Sequence, residues 1–265
     1  MKKFIPALAA LLMMTACNQT PKVLVLYYSQ TGTTKAVAEE IQAQTGADIC
    51  SFDVDQPYTG NFDETVQRCL SEREKGVIPN LTALECDIAK YDVIFLGYPV
   101  WFGTYAPPVK ALLEKVDFAG KTIVPFCTFG SGGLQSSSAD LAATLPYSEL
   151  RPGYGVRAAR LYAIEDELNR FLIENGWKEG SVEPLYEYSD QEPVTAGEAA
   201  IFDIACSGYQ FPLGMPVTCG SRKVPGGTDY VFTARSTGAD ETVSQSTVYV
   251  IAREGRDPEF TQVVR

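Results

Sequence analysis

Leu24 to Ile41 read LVLYYSQTGTTKAVAEEI. An apolar run, Val23 to Tyr28, stops at Ser29-Gln30-Thr31-Gly32-Thr33-Thr34. A helical pattern follows, with Val37, Ala38 and Ile41 on one face. The order is strand, hydroxyl-rich turn, helix. Such a turn lies at the carboxyl edge of a parallel sheet and opens a helix N-terminus, where backbone N–H groups are free and the helix dipole favours an anion. Ser29, Thr31, Thr33 and Thr34 add hydroxyl donors around Gly32, whose missing side chain lets the backbone close on a ligand. Lys35 supplies the only nearby positive charge. Capping alone is the simpler account of such a turn, but four hydroxyls in six residues exceed what one cap uses. The stretch has neither the Gly-Lys-Ser/Thr ending of a Walker loop nor the G-x-G-x-x-G dinucleotide fingerprint.

The pattern repeats along the chain. Ala47 to Val54 reads as a second strand, Asn61 to Lys75 as a helix with Asp63 and Glu64 in its first turn, and Tyr91 to Gly97 as a strand buried on both faces. A helix opens at Pro107-Pro108 and runs to Val116; Thr122 to Cys127 is the next buried strand. Leu134 to Leu145 is helical, Tyr154 to Val156 a weak strand, and Arg160 to Asn175 a helix stopped by Gly176. Strands alternating with helices imply a doubly wound parallel sheet of five strands, with ligands at its carboxyl edge.

Two more loops leave that edge. Tyr98 to Pro108 carries Val100, Trp101 and Phe102, three bulky apolar side chains on an expected loop, which need burial against a neighbour or a flat aromatic ligand. Thr128 to Ser138 carries glycines at 130, 132 and 133, which expose N–H groups able to bond a ring edge.

Tyr-Ser-Gln-Thr-Gly-Thr-Thr after a first strand resembles the phosphate loop of flavodoxins, and the resemblance extends over Lys22 to Gly176. It implies a flavodoxin-like fold with FMN as cofactor, the phosphate held by Ser29, Gln30, Thr31, Gly32, Thr33 and Thr34. The Y-P-x-W-x-G-x-x-P-P and T-x-G-S-G-G spacings resemble a subgroup of small flavodoxin-like reductases. By that resemblance Pro99, Val100, Trp101, Phe102, Gly103 and Thr104 flank the isoalloxazine on one side. Thr128, Phe129, Gly130, Ser131, Gly132 and Gly133 flank it on the other. Trp101 is the expected stacking residue, and no side chain is nominated as acid or base.

The ends of the chain read differently. Lys2 and Lys3 precede a short apolar run, Phe4 to Met14, and the segment closes Met14-Thr15-Ala16-Cys17. That resembles a bacterial lipoprotein signal (residues 1–17) with Cys17 as the acylated residue, so the membrane would be met through a lipid anchor only. The implied location is the bacterial cell envelope, with Asn18 after the Cys pointing to the outer membrane. Residues 190–265 read as a small α+β domain. A capping box at Thr195 and Glu198 opens a helix striped by Ile201, Ile204 and Ala205. Strands follow at Val217 to Arg222, Tyr230 to Ser236 and Thr247 to Arg253, the last two separated by Gly238-Ala239-Asp240. Lys223 to Phe232 loosely resembles the inhibitory hairpin of cystatins.

A net charge of −11 argues against nucleic acid as a partner, and the absence of His excludes His-based metal sites and Ser–His–Asp or Cys–His hydrolysis. Seven cysteines show no C-x-x-C spacing. Those at 50, 69, 86 and 127 are expected as buried thiols, whereas Cys206 and Cys219 are the pair an exported chain could close into a disulfide. An acidic surface with no cation in the ring loops disfavours added negative charge on a reduced flavin. The expectation is an exported, lipid-anchored flavoprotein that transfers electrons to a partner protein or reduces a small acceptor such as a quinone. The alternative is a non-catalytic binding protein that uses the first domain as a scaffold and the second for recognition.

Overall fold

The computed structural model describes residues 20–209, 211, 213–237 and 242–265. Cys17 and the segment 1–17 lie outside the described residues, as does Gly238-Ala239-Asp240. β1 (Val23–Tyr27) pairs in parallel with β2 (Asp48–Ser51) on one side and β3 (Val93–Trp101) on the other. β5 (Thr122–Phe129) continues the sheet beyond β3, and its outer edge is shared by β6 (Glu149–Leu150) and β7 (Tyr154–Arg157). The fifth strand is therefore split into two short pieces.

Period-two alternation along β1 divides the core. Leu24 and Leu26 point to a face with Val109 and Leu112 of α3 (Pro107–Lys115) and Leu141 of α4 (Leu134–Thr144). Val25 and Tyr27 point to the other face, with Val37, Ala38 and Ile41 of α1 (Thr33–Thr45) and Leu168 and Leu172 of α5 (Ile164–Glu174). Helices on both faces explain why β1 is apolar on every residue. At the sheet centre Gly97 makes room for the Phe126 ring: a Cβ there would lie 2.1 Å from the ring edge, so any larger residue must displace Phe126.

α2 (Phe62–Lys75) starts in a capping box between Asn61 and Glu64. The stretch between it and β3 returns along β2, and Cys86 in it is bonded to Cys50 with Cα atoms 6.3 Å apart. This corrects the expectation of four separate thiols in the first unit. Cys206 and Cys219 are both free thiols, so the disulfide expected there is not formed.

The C-terminal unit stacks α6 (Ala196–Cys206) on a five-stranded antiparallel sheet ordered β12-β11-β10-β9-β8. Its strands are β8 (Glu192–Pro193), β9 (Met215–Val224), β10 (Gly227–Thr237), β11 (Val243–Arg253) and β12 (Glu259–Val264). The Thr195–Glu198 box caps α6. The helix buries Phe202 and Ala205, while Ile204 is exposed, so the packed face is rotated from the expected stripe.

Candidate flavin site at the carboxyl edge

β1 delivers the hydroxyl turn to the sheet edge. Gly32 sits at φ +88°, in the left-handed region that glycine adopts freely, and no side chain caps α1. No acidic residue lies in the first turn. The helix therefore begins with backbone N–H groups that no side chain satisfies, beside neutral donors. Within the turn, the Gly32 N–H donates to Ser29 Oγ (3.1 Å), and the Thr31 and Thr33 hydroxyls lie 3.4 Å apart. Gln30 reaches away, donating to Thr65 Oγ1 of α2 at 2.8 Å. Thr34 turns inward: its buried hydroxyl meets Thr128 Oγ1 at 2.8 Å. That bond ties the first loop to the third and leaves Ser29, Thr31 and Thr33 as the hydroxyls available at the turn. Lys35 points outward to Glu39.

The second stretch differs from the expected loop. β3 runs on through Trp101 and folds back as a hairpin, with Val100 opposite Tyr105 and Trp101 opposite Thr104 of β4 (Thr104–Tyr105). Phe102 and Gly103 form its tip, both at positive φ (53° and 81°). A two-residue turn with both central φ values positive matches the twist of a hairpin, but a phenylalanine there is under backbone strain. Phe102 is 57% exposed. Trp101 is half-buried and stands edge-on to Tyr28 and Tyr58, with centroids 6.1 and 5.2 Å away. The Tyr58 hydroxyl donates to Glu72, and burial pushes the Tyr28 and Tyr58 phenols above their usual range. Tyr58, from the β2–α2 connection, is a neighbour of the ring loops that sequence spacing did not suggest.

In the third stretch, Thr128 and Phe129 end β5 and are buried. Phe129 is a core side chain beside Gly155, not an open ring contact. The exposed part begins at Gly130. A Cβ on Gly133 would lie 2.5 Å from Val100 Cγ1, so the second and third stretches are in contact there. Beneath them the buried Tyr98 hydroxyl donates to Ser137 Oγ, whose own hydrogen goes to the Gly133 carbonyl. Arg157, at the end of β7, donates from Nε to the Gly130 carbonyl at 2.8 Å. A guanidinium thus stands beside a loop expected to lack a cation, and burial holds it below the usual arginine range. Its place in sequence, far from the three loops, gave no signal.

The three stretches form one continuous edge. Positions 32, 103 and 130 have nothing within 4 Å of where a Cβ would stand, so ligand atoms can approach the backbone there. These residues fit an anionic group at α1 and a flat ring between the hairpin and the Gly130–Gly133 segment.

A family model described as Flavodoxin matches residues 22–172. Among solved structures, a candidate flavoprotein of Bacteroides uniformis is 25% identical over 57% of this chain and 99% of its own, with a TM-score of 0.51. One of Bacteroides eggerthii is 29% identical over 57% and 99%, with a TM-score of 0.48. A flavoprotein of Lactobacillus acidophilus in complex with FMN is 21% identical over 57% and 98%, with a TM-score of 0.48. A search of the curated proteins finds no match. The family model spans more than half of the chain and all three edge stretches, and the chain belongs to the flavodoxin family.

Proposed function

We propose that the unit at 22–176 binds FMN and serves electron transfer to a partner protein or reduction of a small acceptor such as a quinone. The observation that carries this reading is the N-terminus of α1, uncapped by any side chain and flanked by hydroxyls, on the same edge as the two ring stretches. Ser29, Thr31, Thr33 and the first backbone N–H groups of α1 hold the phosphate. Thr34 and Thr128 fix the distance between phosphate and ring stretches. The hairpin tip and the Gly130–Gly133 backbone orient the ring and keep water from it. Bound FMN supplies the electron chemistry; the protein binds, orients and tunes it. Arg157 adds positive charge near the ring stretch, which favours a more negative reduced flavin and raises the potential relative to an uncharged loop.

The experiment loads the protein with FMN, reduces it chemically without oxygen and mixes it with a water-soluble quinone. Reoxidation with one quinol formed per flavin is expected; a flavin that stays reduced would remove the acceptor class. The non-catalytic alternative predicts that no FMN is bound at all.

We further propose that Cys17 anchors the chain by acyl groups in the bacterial cell envelope. Cys17→Ser is expected to move the protein from the membrane fraction to the soluble fraction. Retention in the membrane fraction would count against lipidation.

A further inference from the structure

The family match ends at residue 172, and the similar Bacteroides uniformis structure covers 57% of this chain, so the C-terminal sheet is an addition to the flavodoxin unit. That sheet does not hang free. β12 lies against the third ring stretch and holds three consecutive residues of it. The Ser131 carbonyl accepts from the Val263 N–H at 2.7 Å. Gly132 sits so tightly on the Val263 carbonyl that a Cβ would lie 2.1 Å from its oxygen. Gly130 is held through Arg157, whose Nε donates to the Gly130 carbonyl while Nη1 donates to the Phe260 carbonyl at 3.0 Å. The same guanidinium lies 3.5 Å over the Phe260 ring. Below this contact Glu259 faces the buried Arg160 at 3.4 Å and accepts from the Tyr162 hydroxyl.

The geometry has a directional consequence. In a trans peptide the carbonyl and the following N–H point opposite ways. With the Gly130 and Ser131 carbonyls turned to Arg157 and β12, the N–H groups of Ser131 and Gly132 are directed away from them. Those are the donors left to a ligand. A glycine-rich stretch populates many conformations when unsupported, and ordering it opposes binding. β12 supports it before any ligand arrives, because Val263 presents its N–H on the edge of β12 away from β11, the strand with which it pairs.

We infer that the C-terminal unit is a positioning element of the flavin site: docking of β12 sets which backbone donors Gly130 to Gly132 offer, and docking and FMN binding are coupled. The inference rests on the FMN reading above. Coupling is reciprocal, so FMN must also tighten the hold of β12 on the loop.

The test uses the full chain with FMN as the probe. Val263→Pro removes the N–H that bonds Ser131 and sets the proline ring against that carbonyl, on the side of β12 away from β11. Gly132→Ala pushes on the same contact from the other side. Each is expected to weaken FMN binding about tenfold through lost preorganisation and to speed amide exchange at Ser131 and residue 132. In the unmodified chain, FMN is expected to slow exchange of the Val263 amide, a readout that needs no variant to fold. Unchanged affinity in variants whose loop amides exchange faster would overturn the coupling, as would a Val263 amide indifferent to FMN. An unmodified chain that binds no FMN would end the flavin reading itself, and the coupling with it.

Discussion

Replacing Thr31 by Ala and Thr33 by Val together is expected to lower the affinity for FMN by about a hundredfold or more. A hydrogen bond to a charged group contributes about 1.5–3 kcal/mol, and 1.4 kcal/mol is a factor of ten in affinity. Two such bonds to a phosphate, taken as additive, amount to about a hundredfold at the lower bound and more above it. Stability should hardly move. Thr31 is exposed, Thr33 half-buried, and their hydroxyl contacts to each other and to Thr128 are long, at 3.4 Å. A fluorescence titration and a thermal melt on the same sample separate the two effects. Thr34→Val is the contrast. It leaves the buried Thr128 hydroxyl without its 2.8 Å partner, at a cost of about 1–3 kcal/mol of stability. A Thr31/Thr33 double variant that binds FMN as tightly as the parent would place the phosphate elsewhere.

The second large effect concerns the Cys50–Cys86 bond. It closes a loop with a sequence separation of 36, and chain entropy in the unfolded state makes such a crosslink worth about 4 kcal/mol. Changing both residues to Ala is therefore expected to lower the melting temperature by roughly 10 °C. Non-reducing mass analysis should find one disulfide. The thiols of Cys206 and Cys219, pushed up to about 12 by burial, should react slowly with alkylating agents at neutral pH until the protein unfolds. A double variant that melts with the parent, or a bond between Cys206 and Cys219, would contradict this.

Much of the first unit was legible because its signals are local. The apolar run into Ser29, the break at Gly176, and the stripe of Val37, Ala38 and Ile41 each lie within a few residues of what they specify. The Thr195–Glu198 box was readable for the same reason. What escaped is decided at long range. Val100 and Trp101 look like loop residues beside Pro99, yet they gain an antiparallel partner from Thr104 and Tyr105 and become strand. Cys50 meets Cys86 only because the chain after α2 returns along β2, a path no spacing encodes. Ile204 has the right period for a buried face, but the sheet beneath α6 selects Phe202 and Ala205. β12 buries Phe260 and Val263, three residues apart across a register shift, so no clean alternation marked it as a strand. Nothing in it indicated that its open edge would meet Ser131. The site divides in the same way: the phosphate turn is a local motif, whereas Arg157, Tyr58 and Val263 reach the ring stretches through the fold.

The function proposed for the unit at 22–176 depends on FMN being held at the edge formed by Ser29–Thr34, the hairpin at Trp101–Thr104 and Gly130–Gly133. Titration of the purified chain with FMN, followed by flavin fluorescence and melting temperature, decides this. A yellow protein is expected, which takes up one FMN per chain, changes the flavin fluorescence on binding and melts at a higher temperature when loaded. A colourless protein that leaves FMN fluorescence unaltered, with a melting temperature indifferent to added FMN, would contradict it.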